Sequence, residues 1–133
     1  MDFGMPTLIE IKSIEKTAML CYELGLTFIE LNMNLPEYQV NRLDIEWFAE
    51  IADKYGIYYT IHLDENCNPC DFNERVSAAH TETVIRTIDI AYSMPSASRR
   101  LSLIQPSKYS EMLCRSTPLI SGRSLNAVRY SVR

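Results

Sequence analysis

The chain has 133 residues, 47% of them hydrophobic and 23% charged, which is enough apolar material for one ordinary domain with a real core. No apolar run approaches the ~20 residues of a membrane span, and no early stretch has the layout of a secretion signal, so a cytoplasmic protein that does not enter membranes is expected, with Cys21, Cys67, Cys70 and Cys114 as reduced thiols. The net charge of −4 conceals a split: residues 1–91 hold 6 Lys+Arg against 16 Asp+Glu, while residues 92–133 hold 7 Lys+Arg and only Glu111. Serine divides in the same way, with Ser13 and Ser77 in the first part and ten serines in the second.

Phe3 to Leu8 is the only candidate for an opening strand, and Pro6 within it cannot donate a ladder hydrogen bond. Ile14, Ala18, Cys21 and Tyr22 then fall on one face of a helix over Ile14–Leu24, capped by Ser13 and stopped by Gly25. Leu26 to Leu31 follows as a β-branched and aromatic strand. The same order returns with Ile45, Phe48, Ala49, Ala52 and Tyr55 on a helical face. Asn41 or Asp44 can cap this helix, Gly56 ends it, and Ile57 to Leu63 forms a further strand. Asn73 can cap a third helix over Glu74–Ala91, with Val84, Ile88 and Ala91 on one side.

Strands joined by helices must be parallel, which leaves an open doubly wound sheet or a barrel. The first turn holds only Gly4 and then Pro6, not the glycine-rich loop of a nucleotide-binding sheet. Gly25 and Gly56 are spaced like the repeat of a barrel of about 250 residues built from eight units. The expected fold class is therefore α/β: three β/α units of a TIM (β/α)₈ barrel, incomplete, in residues 1–91, followed by an irregular Ser/Arg-rich tail in residues 92–133.

Side chains alternate along a strand, so Phe28, Glu30 and Asn32 share one face, as do Tyr58, Thr60, His62 and Asp64. Parallel strands buried on both faces are nearly all apolar, and here the polar members come last, at the carboxyl ends where barrel enzymes place their sites. His62 with Asp64 and Glu65 offers an imidazole and carboxylates suited to a divalent metal or to acid–base work, against the plainer reading of a strand-end histidine bonded to a neighbouring carboxylate. Glu30 has a milder claim, since a glutamate at a strand end is more often solvated or salt-bridged than catalytic. Cys67-Asn68-Pro69-Cys70 has two-residue spacing but no second Cys or His pair at zinc-finger distance, so a plain loop is expected there. Trp47, Tyr55, Tyr58 and Tyr59 suit core packing, and His80 a surface or packing role.

Three segments carry a resemblance: Cys21 to Leu31, Ala52 to Ile57, and Thr60-Ile61-His62-Leu63-Asp64. Together they resemble the xylose isomerase-like TIM barrels, a family that includes sugar phosphate isomerases and epimerases and, more distantly, DNA-repair enzymes of the endonuclease IV type. The resemblance implies isomerisation or epimerisation of a sugar or polyol phosphate, dependent on a divalent metal (Mn, Mg, Zn or Co). It implies substrate binding by Glu30, Asn32, His62 and Asp64, with His62 also a metal ligand. The family's main metal ligands and acid–base glutamates come from later strands, so a chain of three units is expected to be inactive alone, to bind no metal tightly, and to need a partner fragment or to self-associate.

The segment Tyr92 to Arg100 does not lead into a fourth strand, and a gene product that is truncated or read out of frame would give this change; a natural disordered basic tail is the alternative. Two other functions stand beside the isomerase. An endonuclease fragment is disfavoured, because residues 1–91 are too acidic to bind nucleic acid. A non-enzymatic interaction module would use Arg99, Arg100, Arg115, Arg123 and Arg129 on an acidic partner.

Overall fold

The computed structural model describes residues 1–94. The expectations for the Ser/Arg-rich segment from residue 95 onward lie outside the described residues.

Strands and helices alternate along the chain: β1 (Gly4–Pro6), α1 (Ile14–Glu23), β2 (Phe28–Asn32), α2 (Ile45–Tyr55), β3 (Tyr58–His62) and α3 (Glu74–Ser93). The strands form one parallel sheet in the order β1-β2-β3. Pro6 is accommodated because β1 is an outer strand of this sheet, with one edge that needs no ladder donor. Its end is secured instead by Thr7, whose N–H donates to Glu30 O at 2.9 Å and whose Oγ1 accepts from Asn32 N–H at 3.0 Å. The third helix continues two residues past the expected boundary at residue 91, and Met94 beyond it is buried.

Each helix starts on a side-chain cap, which satisfies a backbone N–H that has no partner within the helix. Ser13 Oγ accepts from Lys16 N–H at 3.5 Å, Asp44 Oδ1 from Trp47 N–H at 3.1 Å, and Asn73 Oδ1 from Arg75 N–H at 3.1 Å. Of the two candidates before α2, the structure uses Asp44. Gly25 and Gly56 turn the chain after α1 and α2 at φ of +67° and +65°, the left-handed region where a Cβ is unfavourable. Gly56→Ala is expected to lower stability by about 1 kcal/mol. Urea unfolding checks this as a lower midpoint at unchanged slope.

The core lies between the sheet and the first two helices. Ile29 and Leu31 of β2, Tyr59 and Ile61 of β3, Ala18 and Cys21 of α1 and Phe48, Ile51 and Ala52 of α2 are all buried. Phe48 and Tyr59 meet with ring centroids 5.3 Å apart. Three details differ from the helical periodicity. Tyr22 is 65% exposed and leans on Tyr55 at the surface, while Thr17 takes its place inside α1. Ile51 is a buried residue of α2 that the expected stripe omits, and Trp47, expected in the core, is 42% exposed beside the capped helix start.

The connection from β2 to α2 holds two 3₁₀ turns, Pro36–Tyr38 and Val40–Arg42. The first buries Tyr38 in the core, and the second is the main contact of α3 with the other elements. Thr87 of α3 is buried and its hydroxyl lies 3.6 Å from Met33 Sδ.

Candidate functional site

Because alternate residues of a strand face opposite ways, burying Ile29, Leu31, Tyr59 and Ile61 against the helices sends Phe28, Glu30 and Asn32 with Tyr58, Thr60 and His62 to the other face. Parallel register aligns them, with Phe28 beside Tyr58, Glu30 beside Thr60 and Asn32 beside His62. The amino end of this face is aromatic, Phe28 stacking on Tyr58 at 5.3 Å. The carboxyl end is polar.

At that polar end His62 stands between two carboxylates. Its Nδ1 lies 3.6 Å from Glu30 Oε1 and its Nε2 3.6 Å from Glu65 Oε1, while its side chain is only 14% exposed. These distances exceed a hydrogen bond, so the attraction is electrostatic and operates when the imidazole is protonated. The strand ends are held in place by backbone pairing that runs one step past the strands, Met33 N–H donating to His62 O at 2.9 Å.

Asn32 and Asp64 each fold a loop back on itself. Asn32 Oδ1 accepts from Asn34 N–H at 3.0 Å and from its side-chain amide at 2.9 Å. Asn34 Oδ1 in turn accepts from Glu65 N–H at 3.2 Å, which links the two loops. Asp64 Oδ1 accepts from Asn66 N–H at 2.8 Å and Nδ2 at 3.1 Å. The structure thus brings Glu30, Asn32 and His62 to one end of one face, and Asp64 to the adjoining loop. The carboxylate that reaches the imidazole from that loop is Glu65, at i+3, because Cys67 N–H donates to Asp64 O at 3.0 Å and closes a turn that brings residue 65 back over the strand end.

Beside this cluster is a cavity of about 280 Å³ between the β2–α2 connection, the β3–α3 loop and α3. Asp64 belongs to its wall and so adjoins both regions. Gln39 and Asn41 of the connection and His80, Thr83 and Arg86 of α3 also line it. The sequence reading missed this cavity. The spacing of 80, 83 and 86 places these residues along one helix face, a pattern visible beforehand, but their partners come from a connection without regular periodicity.

His80 does not lie free on the surface. Its Nδ1 is 3.0 Å from both the amide nitrogen and the carbonyl oxygen of Asn68, and its carbonyl accepts from Cys67 Sγ at 3.5 Å. Burial first, and then the charge of Asp64, pushes the Cys67 thiol up to about 11 from an ordinary 9.0. A thiol held protonated is a poor nucleophile and a poor metal ligand at neutral pH.

Imidazole and carboxylates are the donor types a divalent cation accepts. The two ring nitrogens of His62, however, face separate carboxylates, and among the described residues no group of three His, Cys, Asp or Glu side chains is placed to hold a metal. The described residues do not fit a closed metal centre. No helix among them is long and apolar enough to cross a membrane.

Fold and site define a class: an α/β chain of successive parallel β/α units, with a polar cluster at the carboxyl ends of neighbouring strands. Comparison of the chain with protein-family models, with curated proteins and with solved structures finds no match.

Proposed function

We propose that residues 1–94 are the opening units of a xylose isomerase-like barrel and bind a sugar or polyol phosphate at the carboxyl ends of β2 and β3. The observation that carries this reading is the approach of His62 to Glu30 on the same face of adjacent parallel strands, at 3.6 Å. An imidazole and a carboxylate side by side bind vicinal hydroxyls well, since one donates or accepts while the other accepts. Asn32 is spoken for by Asn34, and its part is to hold the loop in place. Asp64 keeps one carboxylate oxygen for a ligand. A metal at His62 would take its remaining ligands from outside the described residues, so no chemical step is assigned to it here. The described groups contribute binding, and proton transfer beside a carbonyl would need acid–base groups from elsewhere.

Calorimetric titration of the full chain with tetrose, pentose and hexose phosphates, with and without Mn²⁺, tests the reading. The expected result is binding that His62→Asn weakens by about tenfold, the loss of one charge-assisted hydrogen bond. Equal affinity in the His62→Asn chain, or no binding of any sugar phosphate, would sink it.

A further inference from the structure

At the strand end Glu30 and Glu65 flank His62, an imidazole without the permanent charge of a guanidinium, whereas the adjoining cavity sets Arg86 in a wall that holds one carboxylate, Asp64. The basic side chains Lys12 and Lys54 form ion pairs with Glu37 and Glu15. The one guanidinium that lines the adjoining cavity is that of Arg86.

Arg86 is only partly committed. Its Nε lies 3.2 Å from Glu82 Oε1, a pairing one helical turn apart, and its terminal nitrogens have no partner among the described residues. A guanidinium bound at Nε alone keeps its other N–H groups for an oxyanion. His80 adds a second donor. In the tautomer whose Nδ1 accepts from Asn68 N–H, Nε2 carries the hydrogen and is a donor, and His80 lines the cavity. The carboxamides of Gln39 and Asn41, which also line the cavity, make no hydrogen bond within the described residues and supply further donors.

Of these groups, His80 is held in place before any ligand arrives. Cys67, Asn68 and Pro69 are fastened to α3 through His80 O, His80 Nδ1 and Ser77 Oγ, the last donating to Pro69 O at 2.6 Å. Preorganised donors lose little entropy on binding. A volume of about 280 Å³ is enough for a small phosphate monoester.

We propose that this cavity is the anion subsite of the chain: Arg86 and His80, with Gln39 and Asn41, hold the phosphate of a polyol phosphate whose hydroxyls extend past Asp64 toward His62 and Glu30. The proposal rests on the functional reading above and adds to it where the phosphate sits.

The test uses the full ¹⁵N-labelled chain titrated with glycerol 3-phosphate, inorganic phosphate and glycerol. The first two are expected to shift the amide signals of Gln39, Asn41 and Thr83, and glycerol is not. Arg86→Ala should weaken glycerol 3-phosphate by about tenfold and Arg86→Lys by less, because lysine keeps the charge and loses the fork. Affinity unchanged in Arg86→Ala, or shifts confined to residues outside the cavity, would overturn the assignment. Separate failures are distinguishable. Shifts at Glu30 and His62 with a silent cavity would remove the anion subsite and leave the functional reading intact. A cavity that responds to phosphate while Glu30 and His62 respond to no sugar phosphate would uphold the subsite and remove the reading it was joined to.

Discussion

Replacing Ile29 by alanine is expected to destabilise the fold by about 2–5 kcal/mol, the range for deleting buried aliphatic atoms from a packed core. Ile29 is fully buried in β2, the middle strand, in the cluster that joins the sheet to α1 and α2. Among the described residues no strand beyond β1 or β3 shares the load, so the cavity left behind has few neighbours able to collapse into it. A small domain has total stability on the order of 5–15 kcal/mol, and the variant would therefore populate unfolded chain even without denaturant. Met19→Ala on the exposed side of α1 is the control, with a change of about 0.5 kcal/mol or less. Urea unfolding followed by circular dichroism reads both, and an Ile29→Ala midpoint equal to that of the control would contradict the core described here.

The second large effect is alkaline destabilisation. Burial raises the Tyr59 phenol well above its ordinary 10.0, with further contributions from Cys21 and Tyr38, and raises the Cys67 thiol to about 11 from 9.0. Both groups hold their protons more tightly in the folded chain than in the unfolded one. Their contribution is complete below pH 9, falls as pH rises from 9 to about 11 for Cys67, and falls from pH 10 upward for Tyr59. The unfolding midpoint should therefore decline steadily above pH 9. Tyr59→Phe should flatten the upper part of that decline and Cys67→Ala the lower part. Tyr59 Oη is also buried with no hydrogen-bond partner among the described residues, so at pH 7 the phenylalanine variant should be more stable by about 1 kcal/mol. A midpoint flat to pH 11 in the parent chain would refute the burial assigned to both groups.

The alternation of strands and helices was legible because each boundary has a local cause. Ser13, Asp44 and Asn73 cap helices, and Gly25 and Gly56 occupy the two left-handed turns, all residues whose own chemistry dictates the geometry. Burial was less legible. Tyr22 fits the apolar stripe of α1 by spacing, yet its neighbour Cys21 takes the inward position, its thiol donating to Phe28 O, and Tyr22 is left at the surface against Tyr55. Trp47 sits in the first turn of α2 off the stripe of Ile45, Phe48 and Ala52, so its exposure follows the helical period, and its aromatic character misled the expectation of a core role.

The site divides in the same way. Glu30, Asn32 and His62 follow from a period of two along strands whose other face is apolar, so the sequence places them together without knowledge of the loops. Glu65 meets His62 only because the turn at Asp64 reverses the chain, and the carboxylate that spacing favoured, Asp64, spends one oxygen on Asn66. The cavity required still more: Gln39, Asn41 and Arg86 are distant in sequence, and α3 meets the Val40–Arg42 turn through tertiary packing alone.

The central claim is that the carboxyl ends of β2 and β3 form one binding site in which Glu30 and His62 act together. The most direct measurement is the ¹⁵N chemical shift of the His62 ring nitrogens in the full chain, followed through titration with a pentose phosphate in the parent and in Glu30→Gln. The account predicts that the ring signals move with saturation in the parent, and that Glu30→Gln both changes their starting position and reduces the response to ligand. Ring signals that stay still while the ligand binds, or that respond identically in Glu30→Gln, would contradict it.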